Sequence, residues 1–216
     1  MSRRNPLPPP PPPEEIRAWP DREALIADRA AVLGGLTRRL LGVPRLMLFL
    51  LVVAGFQLGW GIVGAGLVAG GPDDGLTFIF AWMFGTIAAV LLVPLVVLAG
   101  FAVRRDIRVR RLLGQWAALT RDPAGDARFR EPARSLSWLL VSFLLGLLGL
   151  WLSFAVPAGA RPGSSTYGEV VYGMGVGVIF WLAGLYGVTK AVAHYRWAVR
   201  LTSPVPPSAT PGGAHR

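Results

Sequence analysis

Five arginines, Arg104, Arg105, Arg108, Arg110 and Arg111, crowd into eight consecutive positions directly after a long apolar run. Guanidinium groups at that density bind anions. Two anions compete for the role: the phosphates of nucleic acid and the headgroups of acidic lipids. The rest of the chain offers little reactive chemistry. It has no cysteine, which removes thiol catalysis, disulfides and cysteine metal sites. Its two histidines, His194 and His215, are too few for a histidine-built metal centre. Asp73 and Asp74 could attract a cation, but their glycine-flanked setting reads as a turn. No set of acid, base and nucleophile lies in the apolar segments, so neither enzymatic activity nor a cofactor is expected.

Composition decides between the two anions. A net charge of +10 and a pI near 11.4 would by themselves suit a nucleic-acid binder. Yet 53% of the 216 residues are hydrophobic, only 16% are charged, and the mean hydropathy is +0.49. That is too apolar for an ordinary soluble domain. No aromatic-interleaved module surrounds the arginines either, so no nucleic-acid partner is expected. Arginine outnumbers lysine 21 to 1, with Lys190 the single lysine, a bias that suits a GC-rich bacterial genome.

Four apolar stretches, without charge apart from Glu169 at the edge of the last, must position these residues, at about 46–70, 76–103, 136–156 and 169–189. Each is long enough as a helix, roughly 32 Å or more, to cross a hydrocarbon core of about 30 Å. The expected fold is therefore an all-α integral membrane protein with four transmembrane helices, arranged as two hairpins of the same orientation. Basic residues set that orientation. Eight lie in 1–45, nine in 104–134 and four in 190–216, whereas the link at 70–75 has none and the link at 157–168 has only Arg161. Both termini and the central loop are expected on the cytoplasmic face of a bacterial cell membrane. The arginine cluster then faces the anionic inner leaflet.

Around this membrane domain, 45–201, three further segments are expected. Residues 1–20 form a disordered leader, whose six consecutive prolines at 8–13 reach roughly 19 Å as polyproline II. Residues 21–44 form an amphipathic helix with Leu25, Val32, Leu36 and Leu40 on one face and Arg29 largely elsewhere. That helix is expected to lie on the inner leaflet in preference to packing on a partner. Residues 202–216 form a disordered tail. The helix carrying the arginines continues into the cytoplasm as far as Asp122-Pro123. It presents Leu112, Leu113 and Trp116 beside its charges to a partner's apolar groove or to lipid.

Within the bilayer, small residues form stripes at Gly55, Gly59, Gly66 and Gly70 and at Gly173, Gly177 and Gly184, spacings that let helix backbones approach closely. Self-association through them stays open. Pro94 is expected to kink the second span. Trp60, Trp82, Trp151 and Trp181 are expected to pack between helices. Gln57 is the most polar residue at mid-membrane depth, and a hydrogen bond to Thr86 is expected there.

The two halves show a weak internal repeat, each reading lead-in, two spans, basic helix. "RRLLGVPRLMLFLL" before the first span, the short acidic outer link and the basic helix after the second span carry a family likeness. So does "LTRDPAGDARFREPARSLSWLLVSFLLGL" before the third span. Over about 36–201 the chain resembles the four-helix sensor domain at the N-terminus of many actinobacterial histidine kinases. It lacks their phospho-accepting histidine segment and nucleotide-binding domain. The resemblance implies a stand-alone, sensor-like membrane module that works through a cytoplasmic or membrane partner, and it carries over no catalytic residue. The alternative function is a subunit of a transporter or channel.

Overall fold

The computed structural model describes residues 7–13, 15, 17, 19–69, 75–120, 122–126, 132–163 and 165–202. Gly70, Asp73, Asp74 and the segment beyond Thr202 lie outside them. The described residues form six helices and no strand: α1 (Arg22–Leu41), α2 (Val43–Ala69), α3 (Gly75–Ala117), α4 (Pro123–Asp126), α5 (Pro132–Gly159) and α6 (Tyr167–Thr202).

Local signals account for the boundaries. Asp21, in extended conformation, caps α1 by accepting from the Ala24 N–H at 2.7 Å. Glu23 in the first turn and Arg38 and Arg39 in the last complement the helix dipole. Gly42 then breaks the helix, its N–H donating to the Arg38 carbonyl at 2.9 Å. Any Cβ at Gly42 would strike that carbonyl oxygen. Pro44 follows in the first turn of α2, where no N–H is required. α6 opens on a reciprocal cap. The Thr166 hydroxyl accepts from the Glu169 N–H at 3.2 Å, and the Glu169 carboxylate accepts from the Thr166 N–H at 2.8 Å.

The four long helices, α2, α3, α5 and α6, are long and apolar enough to cross a membrane. Their side chains are distributed inside out. Along α3, Phe78, Trp82, Val90 and Val96 are exposed, and along α5 Phe143, Trp151 and Phe154 are too. An apolar belt of this extent needs a non-aqueous cover. α3 and α6, with 43 and 36 residues, also overshoot any bilayer. They reach roughly 64 and 54 Å, so more than a third of each helix projects beyond the hydrocarbon. Pro94 is accommodated inside α3 without a break in the helix.

α5 and α6 pack antiparallel and most intimately. A Cβ on Gly184 would lie 2.5 Å from the Gly146 Cα, and one on Gly149 would meet the Trp181 N–H and the Gly177 carbonyl. α2 runs antiparallel to α3, setting Gly55 against Leu95, Gly59 against Leu92 and Gly66 against Phe84. It also runs antiparallel to α6, where Gly175 meets Trp60 and Gly168 meets the Leu67 backbone. The two hairpins α2–α3 and α5–α6 therefore point the same way.

The densest core lies at the Arg-rich end, outside the apolar belt. Leu33, Leu36 and Leu40 of α1 pack there on Val109, Leu112, Leu113 and Trp116 of α3, with Trp138 of α5 and Ala191 of α6. This corrects three expectations. α1 buries its apolar side on its own chain rather than on the leaflet. Arg29 belongs to the buried side of α1, because Asp126 of α4 accepts from it bidentately at 2.6 and 3.0 Å. Leu112, Leu113 and Trp116 are internal, so no partner groove receives them. Two boundaries also move. α3 ends at Ala117, and Asp122 instead opens α4, its carbonyl accepting from the Asp126 N–H at 2.8 Å. The leader is tied down at 7–13: Leu7 packs on the core, and the Pro9 carbonyl accepts from the Trp116 indole at 3.1 Å.

Candidate functional site

The inward stripe of α3 beyond the belt reads Asp106, Val109, Leu112/Leu113, Trp116, a helical repeat that turns one acid toward α6. On α6, Tyr186 and Lys190 stand one turn apart on the face that receives it. A single oxygen, Asp106 Oδ2, lies 2.7 Å from Lys190 Nζ and accepts from the Tyr186 hydroxyl at 2.9 Å. The Lys190 ammonium also sits over the Trp138 ring, 4.3 Å from its centroid. Trp138 in turn donates its indole N–H to the Leu41 carbonyl at the end of α1, at 3.2 Å. Phe49 of α2 stacks at 5.4 Å from Trp138 and 6.0 Å from Tyr186. One cluster thus joins α1, α2, α3, α5 and α6. A buried carboxylate is costly unless paired, and here its charge and lone pairs are met by a cation and a hydroxyl.

Beside this cluster opens a cavity of about 1110 Å³ between α2, α3 and α6. Its depth is apolar, with Val52 and Phe56 from α2, Leu98 and Ala102 from α3, and Ile179 and Ala183 from α6. Its mouth is cationic, formed by Arg39, Arg45 and Arg105 around the Asp106–Lys190 pair. The arrangement can hold an elongated apolar group behind an anionic one.

The arginines of the cluster separate by face. Arg104, Arg105, Arg108 and Arg111 are exposed and Arg110 is half-buried, while Trp116 is buried. The glycines divide by partner. Gly173, Gly177 and Gly184 face α5, meeting Val156, Ser153 with Gly149, and Gly146 with Ser142, respectively. Gly55, Gly59 and Gly66 meet side chains of α3 instead of a backbone. Gln57 does not bond Thr86. Its amide donates to the Val176 carbonyl at 3.1 Å, and the Thr86 hydroxyl donates to Trp82 of its own helix at 2.8 Å. α2 turns its polar edge toward α6, while Thr86 is on the exposed side of α3. Trp60 packs between helices and donates to the Tyr172 carbonyl at 2.9 Å, but Trp82, Trp151 and Trp181 are exposed.

Sequence reasoning missed Asp106, Tyr186, Lys190 and Trp138 as a unit. Two signals were available. Asp106 is the one acid within the arginine cluster, and Lys190 is the one lysine in an arginine-rich chain, four positions after Tyr186.

Fold and site together define, among the described residues, an all-helical chain with four helices long and apolar enough to cross a membrane and a polar junction at one end of its apolar belt. No known protein family, characterised protein or solved structure matches the chain.

Proposed function

We propose that this protein is a non-enzymatic membrane module of sensor-like or regulatory type, acting through a protein partner on the cytoplasmic side. One observation carries the reading: the packed elements outside the apolar belt, among the described residues, gather at the Arg-rich end, where the Asp106–Lys190–Tyr186 junction joins α3 to α6 beneath them. A change in how α2, α3 and α6 sit in the membrane is thereby coupled to α1 and to the exposed arginine face of α3. That face, Arg104, Arg108 and Arg111 with Gln115, repeats at helical spacing and stays accessible. Such a surface suits an acidic partner segment. In this reading the chain is a stand-alone counterpart of the kinase sensor domains that its sequence pattern resembles. A transporter or channel role draws less support, because the buried ionic groups among the described residues stand at one end and define no path through the belt.

Photo-crosslinking residues placed at Arg108 and Arg111 in living cells test this. The expected result is a discrete protein adduct at both positions and none at Tyr167, at the opposite end. Adducts confined to Tyr167, or none anywhere, would overturn the proposal.

A further inference from the structure

α3 and α6 scarcely touch apart from the Asp106–Lys190–Tyr186 junction, and α2 alone bridges them along the belt. The cavity between them is the consequence. Measured along α2 from Arg45 to Phe56, or along α6 from Lys190 to Ile179, it runs about 16 Å into the belt. Its volume of about 1110 Å³ exceeds what a small metabolite fills. Apolar walls left without partner atoms would forfeit their dispersion contacts.

The charge at the mouth selects the occupant. The lining carries four cations, Arg39, Arg45, Arg105 and Lys190, against one anion, Asp106. Lys190 already matches Asp106 at 2.7 Å, so the carboxylate does not oppose a second anion nearby. Arg45 and Arg105 also stand at the opening, and guanidinium meets phosphate with paired, charge-assisted hydrogen bonds.

We propose that this cavity is a discrete site for one acidic phospholipid, with its phosphate at Arg45 and Arg105 and an acyl chain between α3 and α6. This goes beyond a general attraction of arginines to an anionic leaflet, because the site is concave and stoichiometric. It rests on the reading that the Arg-rich end lies at the membrane–water boundary. It assigns that module a membrane-derived ligand. The bound lipid holds α3 and α6 at a fixed separation and so sets the geometry of the junction.

The full chain, purified from bilayers of equal phosphatidylglycerol and phosphatidylcholine, is examined by native mass spectrometry. One phosphatidylglycerol per chain is expected, in at least tenfold excess over phosphatidylcholine. R45Q/R105Q should reduce that preference at least tenfold. R108Q/R111Q removes the same charge from the exposed face outside the cavity and should leave the preference intact. A183W fills the cavity and should eliminate the retained lipid. Equal retention of both lipids, equal loss in both double variants, or retention in A183W overturns the site. So does a second copy of the chain crosslinking into the cavity in place of lipid. Should A183W not fold, phosphatidylglycerol with a photoreactive acyl chain is applied to the unaltered protein. Adducts must map to 98–102 and 179–183, and adducts only on the exposed face of α5 overturn the proposal. None of these measurements involves the protein partner, so failure here and failure of the regulatory reading give different results.

Discussion

Asp106 and Lys190, 84 positions apart in sequence, meet at 2.7 Å with side chains only 11% and 4% exposed. At that burial the pair governs local stability through what happens when one member is lost. Lys190→Ala leaves a carboxylate with only Tyr186, and Asp106→Ala leaves an ammonium with only the face of Trp138. Each should destabilise by about 3–5 kcal/mol, whereas Asp106→Leu combined with Lys190→Met should cost much less than either single change. Unfolding of the detergent-solubilised protein measures all three. A double variant as unstable as the sum of the singles would remove the pair's role.

The glycine contacts predict a sharp difference between helix pairs. Ala at 149 or 184 places a methyl group against backbone of α6 or α5, which cannot turn aside as a side chain can. Overpacking of this kind costs about 1–3 kcal/mol. Ala at 55 meets only the flexible end of Leu95 at 3.0 Å and should cost less than either. Ala at 35 meets nothing within 4 Å inside α1 and should stabilise by about 0.4–1 kcal/mol. Thermal unfolding of the four variants should therefore rank 35 above 55, and 55 above 149 and 184.

Gln57 should couple to the α2–α6 interface and not to α3. Gln57→Leu removes the donor to the Val176 carbonyl at 3.1 Å and should cost about 0.6–2 kcal/mol. Thr86→Val removes a hydroxyl bonded to its own helix at 2.8 Å and should be close to neutral. A double-mutant cycle between positions 57 and 86 should show no coupling. Coupling above about 0.5 kcal/mol would place the two side chains in contact.

These cases show which features were legible in the amino-acid order. The long apolar helices were, because length and the absence of charge suffice to define them, whatever they touch. The continuation of α3 past Arg111 was legible from an unbroken helical pattern. The inward turn of Arg29 and Asp106 was not. Charge periodicity assigns both to a solvated face, and only the fold brings Asp126 to Arg29, 97 positions away. Trp116 failed for the complementary reason. An apolar group beside arginines reads equally as a docking edge or as core, and α1 decides the matter by covering it. The depth of Gln57 marks it for a hydrogen bond within the bilayer, but its partner depends on the rotation of α2, which spacing does not fix.

The Arg29–Asp126 clamp should hold the Arg-rich core together independently of the spanning helices. The guanidinium makes two bonds to Asp126 and a third, from Nε, to the Trp116 carbonyl at 3.3 Å, all buried. Arg29→Ala leaves the carboxylate buried and unpaired, at a cost of about 3–5 kcal/mol. Arg29→Lys should recover only part, since an ammonium does not reproduce the paired geometry. Hydrogen exchange should show the loss in α1 and in α3 beyond Val109, with the glycine-packed halves of α5 and α6 unchanged. Uniform deprotection of the whole chain would mean that the core and the membrane helices unfold together.

Topology is the remaining prediction, and the arginines decide it. Of the 22 basic residues, all but Arg161 fall in 1–45, 104–134 or 190–216, and those of them among the described residues gather at one end of the bundle. Basic residues are retained on the cytoplasmic side, and those within 15–20 residues of a span count most. Reporters inserted within 115–130 or fused after Arg200 should therefore read cytoplasmic, and one inserted at Asp74 should read external. Arg104, Arg105, Arg108 and Arg111 are exposed, so changing all four to Gln removes retention without opening the core beneath them. The reporter at 115–130 should then give a mixed signal, with a fraction of chains exported. The termini should hold their side, because Arg38, Arg39, Arg45, Lys190 and Arg196 are untouched. A wild-type reporter at 115–130 that is exported would reverse the orientation and place the arginine face, the junction and the cavity mouth outside the cell.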